Sequence, residues 1–259
     1  MRRRDQGGTG FRSPLRVPGA VALFGALAAW TEVAGAPVSA APSPADIDAA
    51  VRTIQNTCFA AYPADLLAAM SGHPGPPPDD VLQDPALQMK YLRTEAVEER
   101  GLFYPSSLDD ILAGVVAAVR PGLTFLDLGS GDGRVVFLAA VLGAEATGIE
   151  YDARLHAVAR DALARLAATV PRARVRLRRG DFFRADWSRY DVIFYFGING
   201  TFAEARMLEK LAREMKPDAV LLLAHVPNPP PGFERIAEHG VVRAWRRERP
   251  EAAAGAAPR

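Results

Sequence analysis

From Ser107 onward the apolar positions follow two alternating rhythms. Leu108, Ile111, Leu112, Val115, Val116 and Val119 recur three or four residues apart, which lays one apolar stripe along a helix. Ser107, with Asp110 three residues on, predicts a capping-box-like start, and Pro121-Gly122 ends the run. An apolar strand at 124–128 comes next, then a glycine-rich turn, a helix over 134–142 stopped by Gly143, and a strand at 146–150. A helix over 153–169, strands at 175–178 and 191–196, a helix over 203–215 and a strand at 219–225 continue the series. Met207, Leu208 and Leu211 form the apolar, core-facing side of the 203–215 helix. Strands separated by helical crossovers predict a parallel sheet with helices on both faces. The last two strands, near 233–237 and 241–245, are joined by a few residues around Gly240. So short a link permits only antiparallel pairing. The predicted fold is α/β: a Rossmann-like, doubly wound, mostly parallel seven-stranded sheet with an antiparallel terminal hairpin, plus an N-terminal helical extension.

Ahead of that series the pattern is helical but broken. Residues 46–70 read as one or two helices interrupted by Pro63, and His73-Pro74-Gly75-Pro76-Pro77-Pro78 is a stiff extended linker that marks a boundary. A charged helix is expected over 84–100, packed on the following domain as a cap. Earlier still, Arg2, Arg3, Arg4, Arg12 and Arg16 precede an apolar run from Val17 to Trp30, and Val38-Ser39-Ala40 offers the small residues a signal peptidase reads. Residues 1–40 therefore read as a signal peptide or, uncleaved, as an N-terminal membrane anchor, although the run is shorter than the ~20 residues of a comfortable span. The expectation is a membrane-associated or exported protein, cytoplasmic only where the leader has no function. The chain divides into 1–40, the helical extension 41–100, a principal domain at 101–248 and a disordered tail at 249–259.

Composition narrows the partners. With 31 basic and 30 acidic residues and a formal net charge of +1, no global field favours nucleic acid or an anionic surface. Cys58 is the single cysteine and no Cys/His cluster has metal-ligand spacing, so an intramolecular disulfide is excluded, no metal is implied and Cys58 reads as a small buried side chain. Arg172, Arg174, Arg176, Arg178 and Arg179 surround the third strand of the series. As an edge strand it would use those charges to block edge-to-edge association.

The chemistry is concentrated in Phe125-Leu126-Asp127-Leu128-Gly129-Ser130-Gly131-Asp132-Gly133-Arg134. Open α/β sheets bind ligands where a strand ends and the next helix begins, and a backbone that approaches a cofactor closely needs residues without a Cβ. Gly129, Gly131 and Gly133 alternate as G-x-G-x-G around Ser130, whereas a dinucleotide site requires G-x-G-x-x-G and position 134 is Arg. Asp127, two residues before the first glycine, suits the cationic end of a ligand and would repel a diphosphate. Glu150 closes the second strand beside Tyr151 and can accept from both ribose hydroxyls of an adenosine. Asp181 follows the third strand and can accept from an adenine amino group, with Phe182 or Phe183 against the ring.

The string DLGSGDGRVV at Asp127–Val136, followed by Gly148-Ile149-Glu150, resembles the lysine-specific class I methyltransferases. The similarity is to the mitochondrial family that methylates the membrane-embedded c subunit of ATP synthase and, more distantly, to the histone-lysine methyltransferases that lack a SET domain. It extends to Phe103-Tyr104-Pro105, Phe196-Gly197 and Leu208-Glu209-Lys210-Leu211, and covers roughly residues 101–228. A parallel sheet finished by an antiparallel hairpin is also the outline of that class. The resemblance implies S-adenosylmethionine as cofactor and a protein lysine or other amine as acceptor. Departures are visible: Gly197-Ile198-Asn199-Gly200 lacks the N/D-P-P-Y signature of enzymes acting on amide or exocyclic nitrogens, and His225-Val226-Pro227-Asn228-Pro229 carries no family basic residue. A small-molecule O- or N-acceptor, with residues 41–100 as a lid, and a non-catalytic binding module remain the alternatives.

Methyl transfer is an in-line displacement that needs positioning and a desolvated nucleophile. Tyr104, Phe196 and Asn199 are the candidates near the methyl group, Asn199 orienting an amine through its carbonyl oxygen. His225, at the end of the fifth strand, could act as a general base toward a hydroxyl.

Overall fold

A computed structural model describes residues 42–71, 77–85, 87–88, 95–98, 101–103, 105–197, 205–226 and 232–248. The apolar run 17–30, the small residues 38–40, Tyr104, Asn199 and the tail 249–259 lie outside the described residues. Helices α1 (Pro44–Ala60), α2 (Ala64–Ser71) and α3 (Asp79–Gln83) lead into a hairpin of β1 (Glu95–Glu98) and β2 (Gly101–Phe103). Helix α4 (Leu108–Ala118), β3 (Thr124–Leu128), α5 (Arg134–Val141), β4 (Glu145–Glu150), α6 (Ala153–Arg165) and β5 (Val175–Arg179) follow. The chain continues through β6 (Val192–Phe196), α7 (Ala205–Glu214), β7 (Val220–Ala224), β8 (Phe233–His239) and β9 (Val242–Arg247).

Strands β3 to β9 form one sheet in the order β5-β4-β3-β6-β7-β9-β8. The first five strands of that order run parallel, whereas β9 is antiparallel to β7 and β8 to β9. This is the doubly wound sheet with a terminal hairpin that the hydrophobic rhythm predicts, and β5 is its edge. The period-two alternation sends Phe125, Phe194 and Leu222 into one core with α1, α4 and α5, and Leu126, Ile193 and Leu221 into another with Trp187, Met207 and Leu211. Burial on both faces is why the central strands read as nearly continuous apolar runs.

Helix α1 begins with a capping box in which the Asp46 N–H donates to Ser43 Oγ at 3.2 Å and the Ser43 N–H to Asp46 Oδ2 at 3.1 Å. Its stripe Ile47, Val51, Ile54 and Cys58 is buried in the same core as the sheet, each large apolar side chain contributing about 2 kcal/mol.

Two local expectations are corrected. The helix expected over 84–100 is not formed at 95–98, where Glu95–Glu98 is a strand paired with Gly101–Phe103. Helix-favouring Glu and Ala give way to cross-strand pairing with an extended neighbour. At the start of α4, Ser107 makes no side-chain cap. The Leu108 N–H donates instead to Gln55 Oε1 of α1 at 3.1 Å, and Gln55 Nε2 donates to Asp109 at 3.3 Å. A cap supplied from another helix leaves no local sequence signal.

Candidate functional site

The turn between β3 and α5 lies at the carboxyl ends of the parallel strands, and β4 fixes its path. Gly129 and Ser130 both donate their N–H to the Ile149 carbonyl, at 3.0 and 3.1 Å. The Gly131 N–H donates to Glu150 Oε2 at 2.7 Å, while Glu150 Oε1 accepts from the Asp152 N–H at 2.7 Å. Gly148 makes this approach possible, since a Cβ there would meet Ser130 Oγ at 2.6 Å.

The glycines have different tasks. Gly129 has φ +78 and nothing within 4 Å of a notional Cβ, so its missing side chain leaves open space at the strand end. Gly131, at φ +53, leaves room for the Phe103 ring, whose Cε2 would lie 2.3 Å from an added Cβ. Gly133 precedes α5 against the Phe137 ring, which is a packing role.

Asp127 stands between Gly148 and Phe194 on the neighbouring strands and is 3% exposed. Its carboxylate lines a cavity of about 70 Å³ with Phe103, Ser130, Phe194 and Phe196. Burial, and then the charges of Glu150 and Asp132, push its pKa well above the usual carboxylate range, with no hydrogen bond to offset them. Such a group favours a cationic ligand, whose charge would restore the ionised form. Glu150 is also raised by burial, opposed by the N–H donors of Asp152 and Gly131.

A larger cavity of about 570 Å³ opens at the ends of β4 and β5, lined by Ile149, Tyr151, Gly180 and Asp181 with Arg178, Arg179 and Arg184. Asp181 caps a 3-10 turn by accepting from the Phe183 N–H at 2.9 Å. The Phe182 ring packs on Phe183 and Trp187, at 4.7 and 6.2 Å between centroids. The geometry thus brings Asp127, Gly129, Ser130, Gly131, Gly133 and Glu150 together and places Tyr151 and Asp181, but not Phe182, in the lining of the larger cavity. Phe196 ends β6 beside Asp127, its ring edge-on to His225 at 5.0 Å.

Residues 127–226 match the model of the ANTKMT methyltransferase domain. Over that stretch the chain is similar to a methyltransferase domain. No curated protein matches it. Among solved structures, an RNA methyltransferase from Salinibacter ruber with bound S-adenosyl-L-homocysteine is 25% identical, over 57% of this chain and 97% of that one, with a TM-score of 0.48. A SAM-dependent methyltransferase from Thiobacillus denitrificans, also with S-adenosyl-L-homocysteine, is 22% identical over 45% of this chain and 47% of that one, at a TM-score of 0.38.

The residues of this site fit S-adenosylmethionine. The unpaired Asp127 carboxylate suits the cationic amino-acid end, and Glu150 keeps lone pairs for ribose hydroxyls after accepting its backbone donors. Among the described residues no group of three or more His, Cys, Asp or Glu could hold a metal ion.

The sequence reading missed one part of the site. Asp132 and Arg134, 2% and 3% exposed, form a buried ion pair, with Arg134 Nε at 3.0 Å from both carboxylate oxygens and Arg134 Nη1 donating to the Ser106 carbonyl at 3.1 Å. Burial lowers the Arg134 pKa, but Asp132 more than offsets this and leaves it above its ordinary value. Asp and Arg two residues apart in a glycine loop look like solvated charge; only the packing of α1 and Ser106 over them shows otherwise.

Proposed function

We propose that the domain transfers the methyl group of S-adenosylmethionine to a protein lysine or another amine. The observation that carries the reading is the buried, unpaired Asp127 carboxylate, set where the glycine loop leaves β3. S-adenosylmethionine supplies an electrophilic methyl on a sulfonium. The neutral acceptor nitrogen forms the new C–N bond as the C–S bond breaks, the electron pair stays on sulfur, and the positive charge passes to the methylated nitrogen. A lysine has an ordinary pKa near 10.4, so its ammonium must first lose a proton in a desolvated site. Phe196 beside Asp127, with Tyr104 and Asn199, would form that site: the aromatic rings exclude water and the Asn199 carbonyl oxygen orients the amine. The amine reading is supported by the ANTKMT domain match and by the similarity of DLGSGDGRVV and GIE to lysine methyltransferases.

Mass spectrometry of host proteins with and without the gene tests the acceptor. A methyllysine that disappears with the gene supports the proposal, whereas an unchanged proteome with a missing methylated metabolite favours a small-molecule acceptor. Asn199→Ala is expected to lower turnover with cofactor affinity intact. We also propose that residues 17–30 hold the domain at a membrane. Fractionation with N-terminal sequencing tests this: a soluble exported chain beginning at Ala41 overturns it.

A further inference from the structure

We propose that Tyr62 is a positioning residue for the cofactor loop, so that α1 and the segment that follows it help complete the cofactor site. The inference rests on the cofactor reading of the Gly129–Gly133 turn. Asp132 and Arg134 line the Asp127 cavity together with Gly129 and Ser130, and the chain segment just after α1 reaches Asp132. The Tyr62 hydroxyl donates to Asp132 Oδ2 at 2.8 Å, and the Cys58 thiol to the Asp132 carbonyl at 3.7 Å. The same carboxylate accepts from the Arg134 N–H at 3.2 Å. Tyr62 is 7% exposed, its ring tilted against Phe103 at 6.3 Å, and Phe103 in turn fills the space left by Gly131.

This arrangement does more than hold a helix down. A buried ion pair costs desolvation that apolar residues of similar size would avoid, so its presence fixes geometry rather than maximising stability. Here it fixes the peptides on both sides of Asp132, and with them the left-handed Gly131 whose N–H meets Glu150. Without the Tyr62 hydroxyl the Asp132 carboxylate loses the donor that comes from outside the loop, and the Gly131–Glu150 contact loses its restraint. Cofactor affinity falls; Tyr62 acts through Asp132, so the rate of the chemical step at saturation does not.

The test compares Tyr62→Phe, which keeps the ring, with Val51→Ala in α1, which touches no loop residue through a polar group. Isothermal titration with S-adenosyl-L-homocysteine is expected to show about tenfold weaker binding for Tyr62→Phe, with a matching rise in KM for S-adenosylmethionine and an unchanged kcat at saturation. Val51→Ala is expected to lower Tm without changing affinity. Wild-type affinity in a folded Tyr62→Phe protein overturns the proposal. Hydrogen exchange on the wild-type protein supplies a second arm: S-adenosyl-L-homocysteine should protect the amides of residues 58–62 together with those of 131–134, and protection confined to the loop overturns it as well. Wild-type protein that binds no S-adenosyl-L-homocysteine would instead refute the cofactor reading itself.

Discussion

The Glu150 carboxylate, at the end of β4, accepts a 2.7 Å hydrogen bond from the Gly131 N–H in the turn after β3. One side chain therefore holds the glycine loop in place and, in the proposed function, would present its remaining lone pairs to a ribose. The two tasks separate by substitution. Glu150→Gln keeps one acceptor oxygen and is expected to weaken S-adenosyl-L-homocysteine binding with little loss of stability. Glu150→Ala removes both charge-assisted bonds and is expected to cost about 1.5–3 kcal/mol of stability as well as more than about tenfold in affinity. Denaturant unfolding and calorimetry on the two variants check this.

The buried Asp127 carboxylate carries a stability cost. Its folded pKa is raised by burial, so the folded protein binds this proton more tightly than the unfolded chain. The contribution to stability is full below the unfolded carboxylate pKa and is lost as pH rises through the raised folded value. Asp127→Asn removes that loss. At pH 7–8 the variant without ligand is expected to be more stable by about 1 kcal/mol, while its affinity for S-adenosylmethionine falls at least about tenfold. Wild-type affinity should rise with pH across the Asp127 titration and that of the variant should not. Thermal scans and titrations against pH read both effects.

Gly131→Ala introduces a Cβ at φ +53 and 2.3 Å from the Phe103 ring. Strain of about 1–2 kcal/mol and a displaced ring are expected, lowering Tm and cofactor affinity together. Gly122→Ala has φ +83 but nothing within 4 Å. It should show the loss of stability alone, measured by the same scans and titrations.

His225 ends β7 with φ +59, held there by its N–H donating to the Val241 carbonyl at 3.0 Å. Glycine adopts this conformation freely, so His225→Gly is expected to gain about 1 kcal/mol, roughly 2–4 °C in Tm for a domain of this size. A loss of methyl transfer in the stabilised variant would show that the imidazole serves the acceptor side. Activity and Tm measured on one preparation decide it.

The sheet was legible because its signals are local: short apolar runs in β3 and β6, a helical stripe in α4, and a link at Gly240 too short for a crossover. The acids at strand ends were legible for the same reason, since Asp127 and Glu150 are placed by strand length alone. The partners of Asp132 were not. Tyr62 lies 70 residues away and Gln55, which caps α4, lies 53 residues from Leu108; contacts of that range leave no periodicity to read. The hairpin at 95–103 was hidden differently, because Glu95 and Ala96 favour a helix until Gly101–Phe103 offers them a partner.

Those 70 residues between Tyr62 and Asp132 also set a schedule for the ribosome. At about 5–20 residues per second, α1 and α2 emerge roughly 4–14 s before the loop they cover, with Ile47, Val51, Ile54 and Phe59 facing water in the interval. These early helices are among the last elements to find their place, and a nascent chain stalled before β3 presents an apolar helix for chaperones to hold.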